Sequence, residues 1–250
     1  MNKEDLTFWE HIEELRKVLI KSFLCVFIGT GIAFLFYPQI YAILTAKLPF
    51  GGQTNPTALI LLSPTEGMTA TLKLSFWIGL VGTSPLWLYT IFSFILPAID
   101  LEKRTFFFGF FILALPLFFM GILFSFHVTL PFANRYLMEF NREIGINMWS
   151  VTQYIDYTLL LLLGNGLAFE AAALLLIPVH LGILQPETMK KGRRYFIVGA
   201  FVIGALFTPP DVFTQILLAV PLIILYEGAI LYAGFRKKEK FSPPIKGANQ

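Results

Sequence analysis

One stretch of this chain constrains its fold more than any other. Residues 159–184 are apolar almost throughout, and Glu170 is their only charged residue. A helix rises about 1.5 Å per residue and a bilayer core is about 30 Å thick, so the stretch is long enough to span a membrane. Glu170 then lies at depth, where an ionised carboxylate costs at least about 2.5 kcal/mol. Either it is protonated and hydrogen-bonded to a neighbouring helix, or it belongs to a docking or transport site.

The composition also indicates a membrane protein. Of the 250 residues, 56% are apolar and only 14% are charged, whereas ordinary soluble domains carry about 25% charged residues. We therefore predict a single, all-α integral membrane domain rather than a string of soluble domains. The net charge of +3 does not indicate a nucleic-acid partner, because the basic residues flank apolar segments as topology signals do.

Apolar runs separated by proline-, glycine- or charge-rich connections predict six membrane spans. We expect them at 18–37, 64–97, 105–128, 153–178, 195–207 and 212–235, after an amphipathic segment 1–17 and before a basic tail 236–250. Lysine and arginine concentrate on one side of this arrangement, so the positive-inside rule predicts that both termini are cytoplasmic. The segments 38–63 and 129–152 are then outside. The first apolar run lacks a convincing small-residue cleavage site, so no cleavable signal peptide is expected.

The segment 1–17 is predicted to form a helix with Thr7 as its N-cap. Its apolar stripe and acidic opposite face indicate a helix at the membrane interface that leads directly into the first span. The alternative is an ordinary solvated face on which Glu13 and Lys17 form an i,i+4 pair.

Proline positions suggest where other helices begin, bend and end. Ser63, Pro64 and Glu66 form a capping-box pattern for the second span, which Pro85 should kink. Lys73, near the outer end of that span, can snorkel to the interface. At the last turn we expect Thr208 to be an N-cap, with proline at the first helical position and an acid at the third. Pro209 occupies that first position, Pro210 follows it, and Asp211 is the acid at the third.

The fifth span, 195–207, is short. Up to Thr208 it covers about 14 residues, or roughly 21 Å at helical rise, which is less than a hydrocarbon core. We therefore expect the membrane to be thinned locally beside the last two spans.

Several kinds of chemistry have no pattern in this chain. Cys25 is the only cysteine, and the sequence contains neither the spacing of a metal site nor that of a nucleotide-binding loop. No cofactor or metal is therefore predicted. An intramembrane hydrolase would need a nucleophile and a base in reach of each other. Ser125 and His127 are only two residues apart, so a helix would place them on different faces, which disfavours an enzyme.

Short motifs along the chain occur in an order and spacing that resemble one family. They are His11, Ile12, Glu13, Glu14, Leu15 and Arg16; Ser63, Pro64, Thr65 and Glu66 with Lys73 and Ser75; Pro97 and Ala98 with Glu102, Lys103 and Arg104; Gly121, Phe124, Phe126 and Pro131; Ala168, Phe169 and Glu170; Phe201, Val202, Ile203, Gly204 and Ala205 with Thr208, Pro209, Pro210 and Asp211; and Tyr226 with Glu227. Over roughly residues 8–235 the chain resembles the TatC family of the twin-arginine protein translocase.

The resemblance implies a receptor rather than an enzyme, folded as a concave, cup-like bundle of six helices. Members of this family recognise signal peptides with consecutive arginines on folded cargo. They assemble with TatA-type and TatB-type single-span subunits, associate into larger receptor complexes, and support export driven by the proton-motive force. The implied location is a plasma membrane, with the lipid bilayer as an obligatory partner, and the lack of a transit peptide favours a prokaryote.

The resemblance also implies two sites. Signal-peptide binding falls on Glu14 and Glu102, with Leu15, Arg16 and Arg104 beside them, and carboxylates suit the task because they pair with guanidinium groups in bidentate fashion. Partner-subunit docking falls on Glu170, with Phe169, Thr208 and Gln215. The remaining motif positions are structural: Ser63, Pro64, Glu66, Lys73, Pro85, Pro97, Pro209, Pro210, Asp211 and Glu227.

One departure from the family pattern concerns Glu170. The family usually has proline two residues after this acid, whereas this chain has Ala172, so the expected kink is either absent or moved to Pro178. The main alternative function is a proton-coupled secondary transporter that uses Glu170 as its proton carrier. Such transporters often contain internal repeats, and none is found between the first three and last three spans.

Overall fold

The computed structural model describes residues 8–48, 59–95, 101–146, 148–180, 184–208 and 211–241, and these residues are almost entirely α-helical. The helices are α1 (Phe8–Leu35), α2 (Tyr37–Thr45), α3 (Glu66–Gly82), α4 (Ser84–Ile95), α5 (Leu101–Phe124), α6 (Leu130–Arg142), α7 (Val151–His180), α8 (Pro186–Phe207) and α9 (Val212–Phe241). A π-helical turn, Ser125–Thr129, joins α5 to α6. The predicted all-α class is confirmed.

Length and composition agree with a protein that crosses the membrane several times. Within the described ranges, Ile12–Leu35, Phe111–Arg142 and Val212–Phe235 are each long and apolar enough to span a bilayer. Helices α3 and α4 are long and apolar enough to span a bilayer when they are taken together. Helix α7 has 30 residues, or about 45 Å, although several of its side chains lie outside the described set. The count of six spans and their bounds stay a prediction.

The described residues form two compact units. One comprises Met1–Ile112 with Asn134–Leu159, and the other comprises Leu113–Ala133 with Leu160–Gln250. Each unit has its own contacts between helices.

Glycines allow α1 and α3 to cross at close range in the first unit. A Cβ atom added to Gly79 would lie 2.4 Å from the backbone nitrogen of Thr30, and one added to Gly29 would lie 2.4 Å from Thr83 Cγ2. Small residues at a crossing let helix backbones approach closely, which is a main source of helix association in membranes. The crossing therefore depends on residues without side chains.

The expected kink at Pro85 is present as a break between α3 and α4, which are bent by 53°. Proline at the second position of α4 cannot donate a backbone hydrogen bond to the preceding turn. Side chains at the break bond other carbonyls of α3: Trp87 Nε1 donates to the Leu80 carbonyl at 3.0 Å, and the Thr83 hydroxyl donates to the Gly79 carbonyl at 2.7 Å.

The predicted capping box at Ser63 does not form. Helix α3 begins at Glu66, and the carboxylate of Glu66 bonds elsewhere. It accepts hydrogen bonds from the Leu62 amide, the Ser150 hydroxyl and, at 3.0 Å, the Thr152 amide. Glu66 is buried and joins the segment before α3 to the start of α7, beside the backbone pairing of Ile60 with Ser150.

The segments 38–63 and 129–152, expected outside the membrane, both contain helical residues. In the first, the Leu44 carbonyl of helix α2 accepts a hydrogen bond from the Tyr154 hydroxyl at 2.9 Å. The chain also continues in helix beyond residue 128, the predicted end of the third span, through the π turn into α6. Pro131 lies just after the π turn and has no backbone N–H to donate to that turn.

In the second unit, α8 and α9 form an antiparallel hairpin around Ala200, Leu218, Ala219 and Leu222. The basic segment 186–194, expected as a connection, is the first part of α8. Thr208 is not the N-cap of α9, because the helix starts at Val212 and Asp211 caps it by accepting the Thr214 amide at 2.7 Å. The Thr208 hydroxyl instead donates to the Gly204 carbonyl at the end of α8, at 2.9 Å. Pro209 and Pro210 lie outside the described residues.

Candidate functional site

The N-terminal acids of α1 differ in their partners. Helix α1 runs without a break from Phe8 to Leu35, so the predicted amphipathic segment leads directly into the apolar part. Glu13 forms an ion pair with Lys17 at 2.9 Å. Glu14 is exposed, and no ion pair is found for it among residues whose side chains are described. The neighbouring Leu15 and Arg16 are exposed as well. Thr7 lies outside the described residues.

Glu102 and Arg104 lie in the first turn of α5, which begins at Leu101. An acid at this position interacts favourably with the positive end of the helix dipole. The side chains of both residues lie outside the described set, as does Pro97, so no distance joins them to Glu14.

Glu170 is partly buried and has one hydrogen-bonding atom without a partner among the described residues. It sits in the middle of α7, which continues as helix through Ala172 and includes Pro178. Its Oε2 atom is buried and has no hydrogen-bond partner in the described part of the chain. The preceding Phe169 is buried and packs against Phe124, with ring centroids 5.8 Å apart. A buried carboxyl oxygen without a partner is costly, and this cost falls if another molecule supplies the missing hydrogen bond.

The other two predicted docking residues already have partners within the α8–α9 hairpin. Gln215 Nε2 donates to the Phe201 carbonyl at 2.8 Å, and the Gln215 side chain lies against Gly204. Thr208 is buried and donates to Gly204. A partner helix would have to use the remaining amide and hydroxyl lone pairs, so these residues are weaker candidates than Glu170.

Two of the structural motif residues are held by ion pairs that the sequence analysis did not find. Lys73 Nζ contacts Asp156 Oδ1 and Oδ2 at 3.0 and 2.8 Å, so it has a specific partner instead of simply snorkelling. Arg193 pairs with Glu227 at 2.6 Å. The partners are 83 and 34 residues apart, and helical spacing within one segment does not reveal such pairs.

The hydrolase alternative has no geometry to support it. The Ser125 hydroxyl donates to the Leu161 carbonyl at 3.0 Å and accepts from Asn165 Nδ2 at 3.2 Å. His127 Nδ1 lies 3.0 Å from the Leu123 carbonyl. Ser125 and His127 therefore bind different groups and do not form a nucleophile–base pair. Among the described residues, no group of three or more His, Cys, Asp or Glu side chains is placed to hold a metal.

Comparisons with known proteins agree with these features. The family model for TatC, the Sec-independent protein translocase protein, matches residues 10–221. A TatC protein from Aquifex aeolicus is 37% identical over 233 residues, which cover 92% of this chain and 96% of that protein. The Escherichia coli TatC protein is 30% identical over 230 residues, which cover 90% of this chain and 87% of that protein.

A solved structure gives the same result for the fold. A crystal structure of a twin-arginine translocase receptor, TatC, superimposes with a TM-score of 0.74 at 37% identity, covering 91% of this chain and all of that one. The helical architecture, the apolar spans and the family match over most of the chain lead to one conclusion: this chain belongs to the TatC family and is a membrane-embedded, protein-transporting component of the Sec-independent, twin-arginine translocase.

Proposed function

We propose that this chain is the signal-peptide receptor and core subunit of its translocase. It binds the consecutive arginines of signal peptides on folded cargo and assembles with TatA-type and TatB-type single-span subunits for export driven by the proton-motive force. The name of the solved relative, a twin-arginine translocase receptor, supports the receptor role. The role is binding and transport rather than catalysis.

In the proposed binding site, Glu14 and Glu102 pair with the two arginines of the signal peptide. The observation that carries this assignment is the contrast between adjacent acids on α1. Glu13 is paired with Lys17, whereas Glu14 is exposed and no ion pair is found for it among the described side chains. An arginine that arrives at the membrane surface meets Glu14 without displacing an existing partner. The exposed Leu15 supplies apolar contact beside it.

Glu170 is the proposed docking point for a single-span partner. Its buried, unpartnered Oε2 atom supports this role, because a polar group on an adjacent membrane helix can supply a hydrogen bond that lipid cannot. Phe169, Thr208 and Gln215 are proposed as secondary contacts.

The experiment measures binding of a twin-arginine signal peptide to the purified chain in lipid nanodiscs. Hydrogen bonds to charged groups contribute about 1.5–3 kcal/mol, so loss of each carboxylate should weaken binding about tenfold to hundredfold. The double reversal Glu14→Lys with Glu102→Lys should therefore abolish measurable binding, because it also adds repulsion.

Glu13→Lys is the matched control, since it changes the charge by the same amount one residue away. We expect it to bind the peptide much more tightly than Glu14→Lys does. A peptide with its two arginines replaced by glutamine reports non-specific binding. Equal affinity of the wild-type chain and the double reversal would remove these acids from the site.

A further inference from the structure

Four polar side chains form a strip on the outer part of α3 and α7, and we call it the outer polar strip. Thr69 and Lys73 are one turn apart on α3, and Gln153 and Asp156 are three residues apart on α7. Each pair therefore lies on one face of its helix. Thr69, Gln153 and Asp156 are exposed, and the Lys73 and Asp156 side chains remain 41% and 50% accessible within their ion pair.

The strip reaches well below the end of the helices. Lys73 lies seven residues beyond Glu66, or about 10 Å at helical rise, and Asp156 lies six residues beyond Ser150, or about 9 Å. Because Glu66 is hydrogen-bonded to Ser150, the two helices start at the same level. The two estimates therefore agree, and the ion pair lies about two turns inside the bundle.

Contact between the outer polar strip and lipid hydrocarbon is energetically unfavourable. Charged side chains in a membrane are expensive and normally face a protein interior or a water-filled cavity. Yet this pair is about half exposed, and polar residues line the way from it to the helix ends. Other exposed residues on α3 are apolar: Met68 and Leu72, the direct neighbours of Thr69 and Lys73, are 71% and 47% exposed.

We propose that the outer polar strip lines a water-filled recess that admits water about 10 Å into the membrane from the end of the bundle formed by Glu66 and Ser150. Water satisfies the hydrogen-bonding capacity that the ion pair leaves open, namely the third proton of Lys73 and the remaining lone pairs of Asp156. The charges of the pair cancel, so the recess holds neutral water rather than a bound anion or cation.

Cysteine accessibility tests this proposal. Single cysteines are placed in a chain with Cys25→Ala, and the chain alone is reconstituted into liposomes. A membrane-impermeant methanethiosulfonate reagent is then applied. The reactive form is the thiolate, which needs water, so a thiol in hydrocarbon reacts slowly. Two variants report on the strip: Gln153→Cys, and Asp156→Cys combined with Lys73→Gln. Both should react about tenfold or more faster than the control Leu72→Cys. Leu72 lies at the depth of the ion pair but faces another direction.

A second variant links the water to the ion pair. Replacing both charged residues with leucine, Lys73→Leu with Asp156→Leu, should slow labelling at Gln153→Cys, whereas Lys73→Gln with Asp156→Asn should leave its rate within about twofold of the parent, because a neutral polar pair still holds water.

Two results would overturn the proposal. If the strip cysteines react as slowly as Leu72→Cys in the chain alone, lipid or protein covers the strip. If Leu72→Cys reacts as fast as they do, this whole end of the bundle lies outside the membrane, and no recess is needed.

Discussion

Four acidic side chains on the long helices show how strongly a residue's role depends on its partners. Glu66 accepts three hydrogen bonds, Asp156 pairs with Lys73, and Glu227 pairs with Arg193. Glu170 differs, since one of its carboxyl oxygens is buried without a partner in the described part of the chain. Three of these acids therefore stabilise the chain itself, whereas Glu170 has capacity left for another molecule.

At this residue, we predict that Glu170→Ala folds but exports cargo poorly. A hydrogen bond between membrane helices contributes about 1–2 kcal/mol, so removing it should weaken partner docking about 5- to 30-fold. Glu170→Gln is the control, because it keeps a hydrogen-bonding group and should retain most of the docking. Co-purification of single-span subunits and export of a twin-arginine reporter are the measurements. Full export by the alanine variant would exclude the docking role.

Local patterns in the sequence predicted the all-α class, but they could not identify side-chain partners. The capping-box pattern at Ser63 and Glu66 is purely local, whereas two of the three groups that bind Glu66 lie 84 and 86 residues further along the chain. At the α8–α9 turn, both Thr208 and Asp211 fit the residue preferences of an N-cap, and only the helix start at Val212 decides between them. For Glu170, the lone acid in an apolar run was sufficient to identify the candidate.

At the level of elements, the α1–α3 crossing is the contact most sensitive to substitution. A Cβ atom at Gly79 would overlap the α1 backbone at Thr30, whereas one at Gly82 would meet nothing within 4 Å. Gly79→Ala must therefore push the helices apart.

We predict that Gly79→Ala lowers the free energy of unfolding by about 1–3 kcal/mol, as overpacking does. Gly82→Ala should be neutral or stabilising by up to about 1 kcal/mol, because alanine favours helix and the site is open. Thermal unfolding of both variants in the same detergent provides the comparison. Equal melting temperatures would contradict the tight crossing.

Helix α8 has a short apolar part. In α8, residues 195–207 follow the basic first turns and cover about 20 Å at helical rise. In α9, about 15 residues, or roughly 23 Å, separate Val212 from Glu227, which is bound to Arg193. The apolar part of α8 is therefore shorter than a bilayer core of about 30 Å, whereas Val212–Phe235 of α9 is long enough to span one but contains Glu227.

We therefore predict that the bilayer is thinned beside this hairpin. Spin labels at Phe207 and Phe213, on either side of the turn, should lie below the phosphate level of the surrounding bilayer. A label near the outer end of α1 provides the reference depth. If both hairpin labels lie at ordinary headgroup depth in an unperturbed bilayer, the prediction is wrong.

For the whole molecule, the arrangement of basic residues argues for six spans with both termini in the cytoplasm. A phosphatase that is active only outside the cytoplasm, fused after Gly145, should be active, and the same enzyme fused after Gln250 should be inactive. A fluorescent protein that matures only in the cytoplasm should give the opposite pattern. Phosphatase activity at the C-terminal fusion would require an odd number of spans or an inverted orientation.

The hydrogen bonds of Glu66 also bear on how the chain is built. Ser150 is 84 residues further along the chain than Glu66. At a synthesis rate of about 5–20 residues per second, Glu66 is incorporated roughly 4–17 s before Ser150. During biogenesis the acid must therefore be accommodated by water, by lipid headgroups or by the insertion machinery. The hydrogen bond between Glu66 and Ser150 therefore forms late in assembly, because no shorter translation intermediate contains both residues.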